Sequence, residues 1–536
     1  MYRREWENMY KGTETFGKIV EHRAEIKPHA RFVRFEDKDL TYDQFHRSGN
    51  KVVNFIDSLG LSKGQTCAVM LPNSPEFLAT WLGLSRLGVI EVPINTAFRG
   101  DLLTYILNKA ECQAIVVSSQ WVERVNQISS ELIHLRHVIV VGEDYKAIAA
   151  QLNYHSYDDL FAKASDVALE VKVEPKDTAL ILFTSGTTGP SKGVILSHTS
   201  TFSVAKTACE LMKYGPEDRL FSAFPLFHVN ARYTSILVAL LVGCDVVMHS
   251  RFSASRFWDI MRREQVTAFN FMGSLLTMLI KQPERLNDAD NPVKKAFGAP
   301  TPVEIYDDFQ IRFQVQISEV YGSTEIGTVL YNPAASFKKG SCGYPVPVYE
   351  VEIHDENDNP CPPGVAGEIV VRPKKPDILF SGYFGMPEAT IEAWRNLWFH
   401  TGDTGKMDEA GYFYFLDRKK DVVRRRGENI SSYEVERVLN DHPKIFEAAV
   451  IGVPSELSEE EVMAVVILQE GVELQPEELL DFCQDRMAHF SVPRFIRFVK
   501  ELPKNTSQRV EKYKLRQEGI TGDTWDRERV GYEVRR

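Results

Sequence analysis

FTSGTTGPSKGVIL, residues Phe183 to Leu196, is the stretch that decides the reading of this chain. Three glycines (Gly186, Gly189, Gly193) let the backbone turn closely around a ligand. Four hydroxyl residues (Thr184, Ser185, Thr187, Thr188) donate hydrogen bonds, and Lys192 supplies a point charge. Such a loop suits a polyphosphate. Residues 177–183 read as a short apolar strand and 199–214 as a helix, so the expected order is strand, Gly-rich loop, helix, at a place where many α/β folds bind ligands. The pattern departs from the P-loop, GxxxxGK[ST]. Lys192 falls at the P-loop offset from Gly186, but Gly193 follows it where a hydroxyl residue is required, which disfavours a Walker-type NTPase.

A chain of 536 residues is too long for one ordinary core, so two or more domains are expected, and 43% hydrophobic content is ample to build them. A net charge of -11 argues against a nucleic-acid surface. The opening MYRREWENMY lacks the apolar core of a signal peptide, and the longest apolar run, residues 236–242, is far below membrane-spanning length; a cytosolic protein without a membrane span is expected. Seven cysteines (Cys67, Cys112, Cys209, Cys244, Cys342, Cys361, Cys483) are scattered without a CxxC pair, and the 13 histidines show no HExxH spacing. Free thiols fit better than a disulfide or zinc framework.

Strand-like runs at 66–71, 88–93, 113–117, 137–141 and 179–183 alternate with helix candidates such as 74–87. The fold class read from this order is α/β, with layered subdomains and largely parallel sheets. The Pro/Gly-rich turn at 360–367, between strand-like pieces at 350–353 and 368–371, marks a β-rich subdomain. At 412–427 an apolar strand gives way to dense positive charge, which read alone is a solvated hairpin. Strands at 448–454 and 463–468 and a helix at 476–487 follow, and the polar tail after Ile520 is expected to be loosely attached.

Four further motifs stand with the Gly-rich loop: Phe224-Pro-Leu-Phe-His228, Tyr321-Gly-Ser-Thr-Glu325, Thr401-Gly-Asp403, and Asp417-Arg-Lys-Lys420 leading to Gly427. In this order the chain resembles, over almost its whole length, the adenylate-forming superfamily of acyl-CoA synthetases, luciferases and adenylation domains. The resemblance implies a large N-terminal AMP-binding domain (1–416) and a small mobile C-terminal α+β domain (417–536) that swings at a hinge near Lys420. It also implies ATP, Mg²⁺ and CoA as reactants and a small-molecule carboxylic acid as substrate, and it leaves a homodimer open.

Residue by residue, the resemblance assigns Thr184, Ser185, Gly186, Thr187, Thr188, Gly189 and Lys192 to the β- and γ-phosphates, Thr324 to the α-phosphate and Glu325 to Mg²⁺. Gly298, Ala299, Pro300, Tyr321 and Gly322 would line adenine, Asp403 would take the ribose hydroxyls, and Arg418 would make a second nucleotide contact. Arg424 and Gly427 would serve the thioester step, with Arg424 to Arg426 facing either CoA phosphates or solvent. Without the other motifs, Glu325 reads as a helix-start carboxylate. His228 is placed on the acid side. Asn230 and Arg232 either enter the same pocket or face a helix surface, and Tyr233 and Phe271 offer aromatic faces for a cationic acid. The family's adenylation lysine follows a glycine, whereas Gln508 and Arg509 stand here. Arg509 or the nearby Lys512 is left to fill the role.

Within the superfamily the chain is similar to crotonobetaine/carnitine–CoA ligases, on Arg251-Phe-Ser-Ala-Ser-Arg-Phe-Trp258, Phe399-His-Thr-Gly-Asp403 and Gly427-Glu-Asn-Ile-Ser431. An acid–CoA ligase working through an acyl-adenylate is the main expectation. An adenylation enzyme loading a carrier protein in trans, and a nucleotide-binding protein with impaired turnover, are the rivals.

Overall fold

The computed structural model describes residues 14–184, 191–418, 422–455, 459–503, 510 and 512–535. Two large sheets carry the first part of the chain. The nine-stranded sheet has a parallel centre of Arg31–Phe35, Asp245–Met248, Arg219–Ser222, Ala268–Phe271, Lys295–Gly298 and Gln316–Ser323, with antiparallel strands at both edges. The eight-stranded sheet is parallel from Thr178–Thr184 through Ile90–Pro93, Thr66–Met70, Ala114–Ser118 and His137–Val141 to Asn153–Ser156.

Central strands covered on both faces need continuous apolar sequence, and the runs at Thr66–Met70 and Ala114–Ser118 are buried at every position. The helix Pro75–Leu87 begins where the Ser74 hydroxyl accepts from the amide of Phe77 at 3.2 Å, with Pro75 in its first turn. A five-stranded antiparallel sheet follows, built on Tyr349–His354, Gly367–Pro373 and Trp398–Met407. An α/β fold with a β-rich subdomain is therefore what the chain adopts.

The segment after the Gly-rich loop differs from expectation. Residues Lys192–Ser197, read as the end of the loop, form another strand next to Thr178–Thr184 in the sheet, while the helix expected over 199–214 runs from His198 to Met212. Val194, Ile195 and Leu196 are apolar and β-branched or bulky, and they pair between Thr178–Thr184 and Gly382–Tyr383 instead of staying in an open loop. The loop thus joins two neighbouring strands.

Contacts gather the described residues into two compact units: Met1–Thr96, Leu107–Phe183 and Gly193–Asp417 in one, and Ala97–Ile106, Thr184–Lys192 and Arg418–Arg536 in the other. The second unit has a four-stranded sheet, Ile445–Pro454, Glu460–Leu468, Phe495–Phe498 and Trp525–Asp526, with helices Ser432–Asn440 and Pro476–Gln484. Val450, Val466, Leu480 and Ile496 centre its core. The tail is not loosely attached, contrary to its polar composition. Trp525–Asp526 adds an edge strand, Arg494 grips Asp526 at 3.1 Å, and Arg527 donates to the Val492 carbonyl at 2.9 Å. Among the described residues no helix is long and apolar enough to cross a membrane. All seven cysteines are free thiols, six of them buried.

Candidate active site

The carboxyl ends of the parallel strands in the nine-stranded sheet bring the nucleotide-side motifs together. Gly298 pairs in register with Glu319, so residues 298–300 leave the sheet beside Tyr321 on the next strand. Two glycines here admit no side chain. A Cβ at Gly298 would lie 2.0 Å from the Phe271 carbonyl oxygen, and one at Gly322 would lie 1.7 Å from that of Gly327. The Ala299–Pro300 peptide bond is cis. Glu319, a residue that sequence reasoning passed over, is buried at the base of this cradle. Burial pushes its carboxyl up to about 7, against the hydrogen bonds that Thr301 supplies.

Tyr321 reaches from this strand to the Thr401-Gly-Asp403 motif. Its hydroxyl donates to Asp403 Oδ2 at 2.7 Å, and burial together with that carboxylate keeps the phenol protonated. Thr401–Asp403, at an irregularity inside the strand Trp398–Met407, is itself braced. Thr401 donates to the Ile369 carbonyl at 2.7 Å and accepts from the Asp403 amide at 3.1 Å, while Glu368 accepts from the Gly402 amide at 3.0 Å. His400 packs on Glu368 at 3.1 Å. Glu368 carried no signal in the sequence because its role exists only across paired strands.

Ser323 ends its strand, and Thr324 and Glu325 occupy the turn into Gly327–Asn332. Glu325 is therefore on a hairpin turn, not a helix start. Its two carboxylate oxygens accept from Ser323 Oγ at 2.8 Å and Tyr383 Oη at 3.2 Å. No group of three or more metal-ligating side chains exists among the described residues.

In the Gly-rich loop, Thr184 and Lys192 are described, and the Thr184 hydroxyl lies 3.5 Å from the Lys192 carbonyl. Ser185, Gly186, Thr187, Thr188 and Gly189 lie outside the described residues, as do Lys420 and Arg509. Arg418 ends the strand Phe413–Arg418.

His228, expected on the acid side, is half-buried at the N-cap of the short turn Val229–Ala231, its ring 4.7 Å from that of Phe227. Asn230 accepts from the Thr234 hydroxyl at 2.7 Å through its carbonyl. Arg232 faces neither a pocket nor a helix surface. It is fully buried, with Nη1 and Nη2 on the Glu91 carboxylate at 2.7 and 2.5 Å, because a guanidinium taken out of water needs a charge partner. Arg232 to Ile236 form one π-helical turn, pinned by Asn270, whose amide donates to Thr234 and Ser235 at 2.8 and 2.7 Å. Phe271 and Tyr233 are core residues, 0% and 3% exposed, so neither offers an open face to a cation.

In the C-terminal unit, Arg424, Arg425 and Gly427 belong to the hairpin Val422–Arg425 and Glu428–Ser431. The basic cluster lies along an acidic strand. Arg425 pairs with buried Glu461 at 2.5 Å, the Arg424 amide donates to Glu460 at 2.9 Å, and the Gly427 amide donates to Glu459 at 2.8 Å. The turn is therefore not simply solvated. Lys512 donates to Ser432 Oγ at 2.8 Å and pairs with Glu436 at 2.7 Å.

Comparison with known proteins accords with this geometry. The family model for AMP-binding enzymes matches residues 20–384, and that for the AMP-binding enzyme C-terminal domain matches residues 434–509. The chain is 33% identical over 487 residues to a crotonobetaine/carnitine–CoA ligase of Salmonella arizonae, covering 90% of this chain and 94% of that protein. It is 32% identical over 485 residues to the ligase of the same name from Salmonella typhimurium, covering 89% and 93%. Among solved structures, a fatty acyl CoA synthetase of Mycobacterium tuberculosis aligns with a TM-score of 0.68 at 26% identity, covering 94% of this chain and 98% of that one. The o-succinylbenzoate CoA synthetase of Bacillus subtilis shares the fold, with a TM-score of 0.83 at 24% identity over 95% and 99%. With both family models matched and a relative 33% identical over 90% of this chain, the chain belongs to the AMP-binding enzyme family, among its adenylate-forming acid–CoA ligases.

Proposed function

We propose that this enzyme condenses a small carboxylic acid with CoA in two steps, through an acyl-adenylate, and that its acid is of the trimethylammonium type named for its Salmonella relatives. The observation that carries the nucleotide half of this reading is the Tyr321–Asp403 hydrogen bond, which presents a two-oxygen acceptor beside the residue 298–300 cradle. Adenine would lie against Tyr321 and the glycine-bared backbone, with the ribose hydroxyls on Asp403.

Attack of one anion on another demands positive charge and orientation more than covalent chemistry. Lys192 and the hydroxyls of the Gly-rich loop would neutralise the β- and γ-phosphates, and Thr324 would donate to the α-phosphate. Glu325 would hold Mg²⁺, which draws charge from the departing pyrophosphate. Its two hydroxyl neighbours fix the carboxylate's orientation. After adenylation, the C-terminal domain would turn at Lys420 and bring Arg424 and Gly427 to the CoA thiol.

The buried Glu91–Arg232 pair supports a cationic acid by subtraction. Once Arg232 is neutralised, no bare guanidinium from this segment opposes a trimethylammonium group. The deciding experiment is pyrophosphate release with ATP and Mg²⁺ across trimethylammonium, short-chain, aryl and dicarboxylic acids, each with and without CoA. Release and thioester formation confined to the trimethylammonium acids are expected. Thioester formation with another class alone would replace the substrate, and ATP binding without release for any acid would favour impaired turnover, the reading that Gln508 and Arg509 suggest.

A further inference from the structure

The segment Phe224 to His228 is held from two sides by side chains that lie outside it. On one side stands Asn73, 6% exposed, just before the helix Pro75–Leu87. Its Oδ1 accepts from the Leu226 amide at 2.8 Å, and its Nδ2 donates to the Phe224 carbonyl at 2.9 Å and the His249 carbonyl at 3.2 Å. On the other side, Arg232 Nε donates to the Leu226 carbonyl. Both backbone polar groups of Leu226, a fully buried residue, are thus satisfied by side chains from outside the segment.

Arg232 cannot drift. Glu91 on the strand Ile90–Pro93 takes both of its terminal nitrogens, and its guanidinium lies over Trp81 and Phe77, 4.5 and 5.1 Å from the ring centroids. The salt bridge therefore orients a third bond. Asn73, Phe77, Trp81 and Glu91 lie within 19 residues of one another, so one helix and the strand after it fix a loop more than 130 residues away.

We propose that Asn73 and the Glu91–Arg232 pair are positioning residues for the acid-side segment, setting where the His228 ring stands by clamping the backbone of Leu226. This rests on the reading above that His228 faces the acid. The pair's retention in the core has a physical reason under this view. Two buried charges are weak evidence of stabilisation, whereas a guanidinium has a spare donor after binding a carboxylate with two.

Two variants test it. Arg232→Lys keeps the charge and one bond to Glu91 but has no donor left in place for Leu226, and Asn73→Ala removes the opposite clamp. For each, kcat/KM for the acid is expected to fall about 10–100-fold while KM for ATP stays within about twofold, the loss of one or two buried hydrogen bonds acting on one substrate only. The second readout does not require turnover. Modification of His228 by diethyl pyrocarbonate, followed by peptide mass spectrometry against exposed His29 as internal reference, is expected to change at least about fivefold in rate.

Equal losses in kcat/KM for acid and ATP, or unchanged acid kinetics with unchanged His228 labelling, would overturn the positioning role. If the parent enzyme releases pyrophosphate with no acid, the ligase reading fails, and the His228 labelling alone decides the clamp. Should Asn73→Ala not fold, Arg232→Lys, which leaves the charge pair in place, carries the test.

Discussion

Tyr321 Oη donates to Asp403 Oδ2 at 2.7 Å, a bond between motifs 82 residues apart. It joins the end of a strand in the nine-stranded sheet to the middle of the strand Trp398–Met407 in the antiparallel one. One carboxylate oxygen is thereby fixed in place. Removing the acceptor should be worse than freeing it. Asp403→Ala is expected to raise KM for ATP about 10–100-fold, the scale of one or two hydrogen bonds to a charged group, and Tyr321→Phe about 3–10-fold. Steady-state pyrophosphate release with varied ATP checks both, and equal KM values in the two variants would contradict the ordering.

Glu325 accepts from Ser323 and Tyr383. Glu325→Gln keeps those neighbours but halves the oxygen donors and removes the charge a divalent cation needs. The expected outcome is a rise of about tenfold or more in the Mg²⁺ concentration for half-maximal rate, with Tyr383→Phe giving a smaller rise. Mg²⁺ titration of the rate at fixed ATP makes the comparison.

Glu319 sets a pH dependence. Its carboxyl is raised from 4.5 to about 7 by burial, so the folded state binds a proton that the unfolded state releases. The sign follows: the stabilisation is complete below pH 4.5 and is lost as pH rises through about 7. Glu319→Gln should flatten melting temperature against pH over that window, leaving the variant relatively more stable at pH 8 than at pH 5. A parallel shift of the whole curve would sink this assignment.

Arg425 and Glu461 are 5% and 1% exposed and 2.5 Å apart in the C-terminal unit. Glu461→Ala strands the guanidinium in the core and should cost about 3–5 kcal/mol. Replacing both residues with methionine should cost much less, because no uncompensated charge remains. Chemical unfolding of the two variants distinguishes them by midpoint.

The adenylation-lysine question has a direct test. Lys512 is held by Ser432 and Glu436. Arg509→Ala is therefore expected to lower acid-dependent pyrophosphate release about 100-fold or more, the usual scale for losing a transition-state charge contact. Lys512→Ala should lower melting temperature more than rate. The reverse pattern would give the role to Lys512.

The sequence by itself determined the family and the α/β class, and it singled out the nucleotide-side residues that are proposed. Gly-rich loops, apolar strand runs and turn motifs are local features, and their chemistry is legible wherever they stand. Local reading fell short where partners are distant. The run Lys192–Ser197 reads as the end of the Gly-rich loop because nothing local shows that Thr178–Thr184 and Gly382–Tyr383 lie on either side of it. Arg232 looked available to a substrate because Glu91, 141 residues earlier, is invisible as its partner in the linear chain. Phe271 and Tyr233 offered aromatic faces on paper, yet burial depends on which layers close over them. Only tertiary structure decided these points, since charge pairing and exclusion from water are properties of neighbours in space, and the chain fixes those neighbours only once its sheets have assembled.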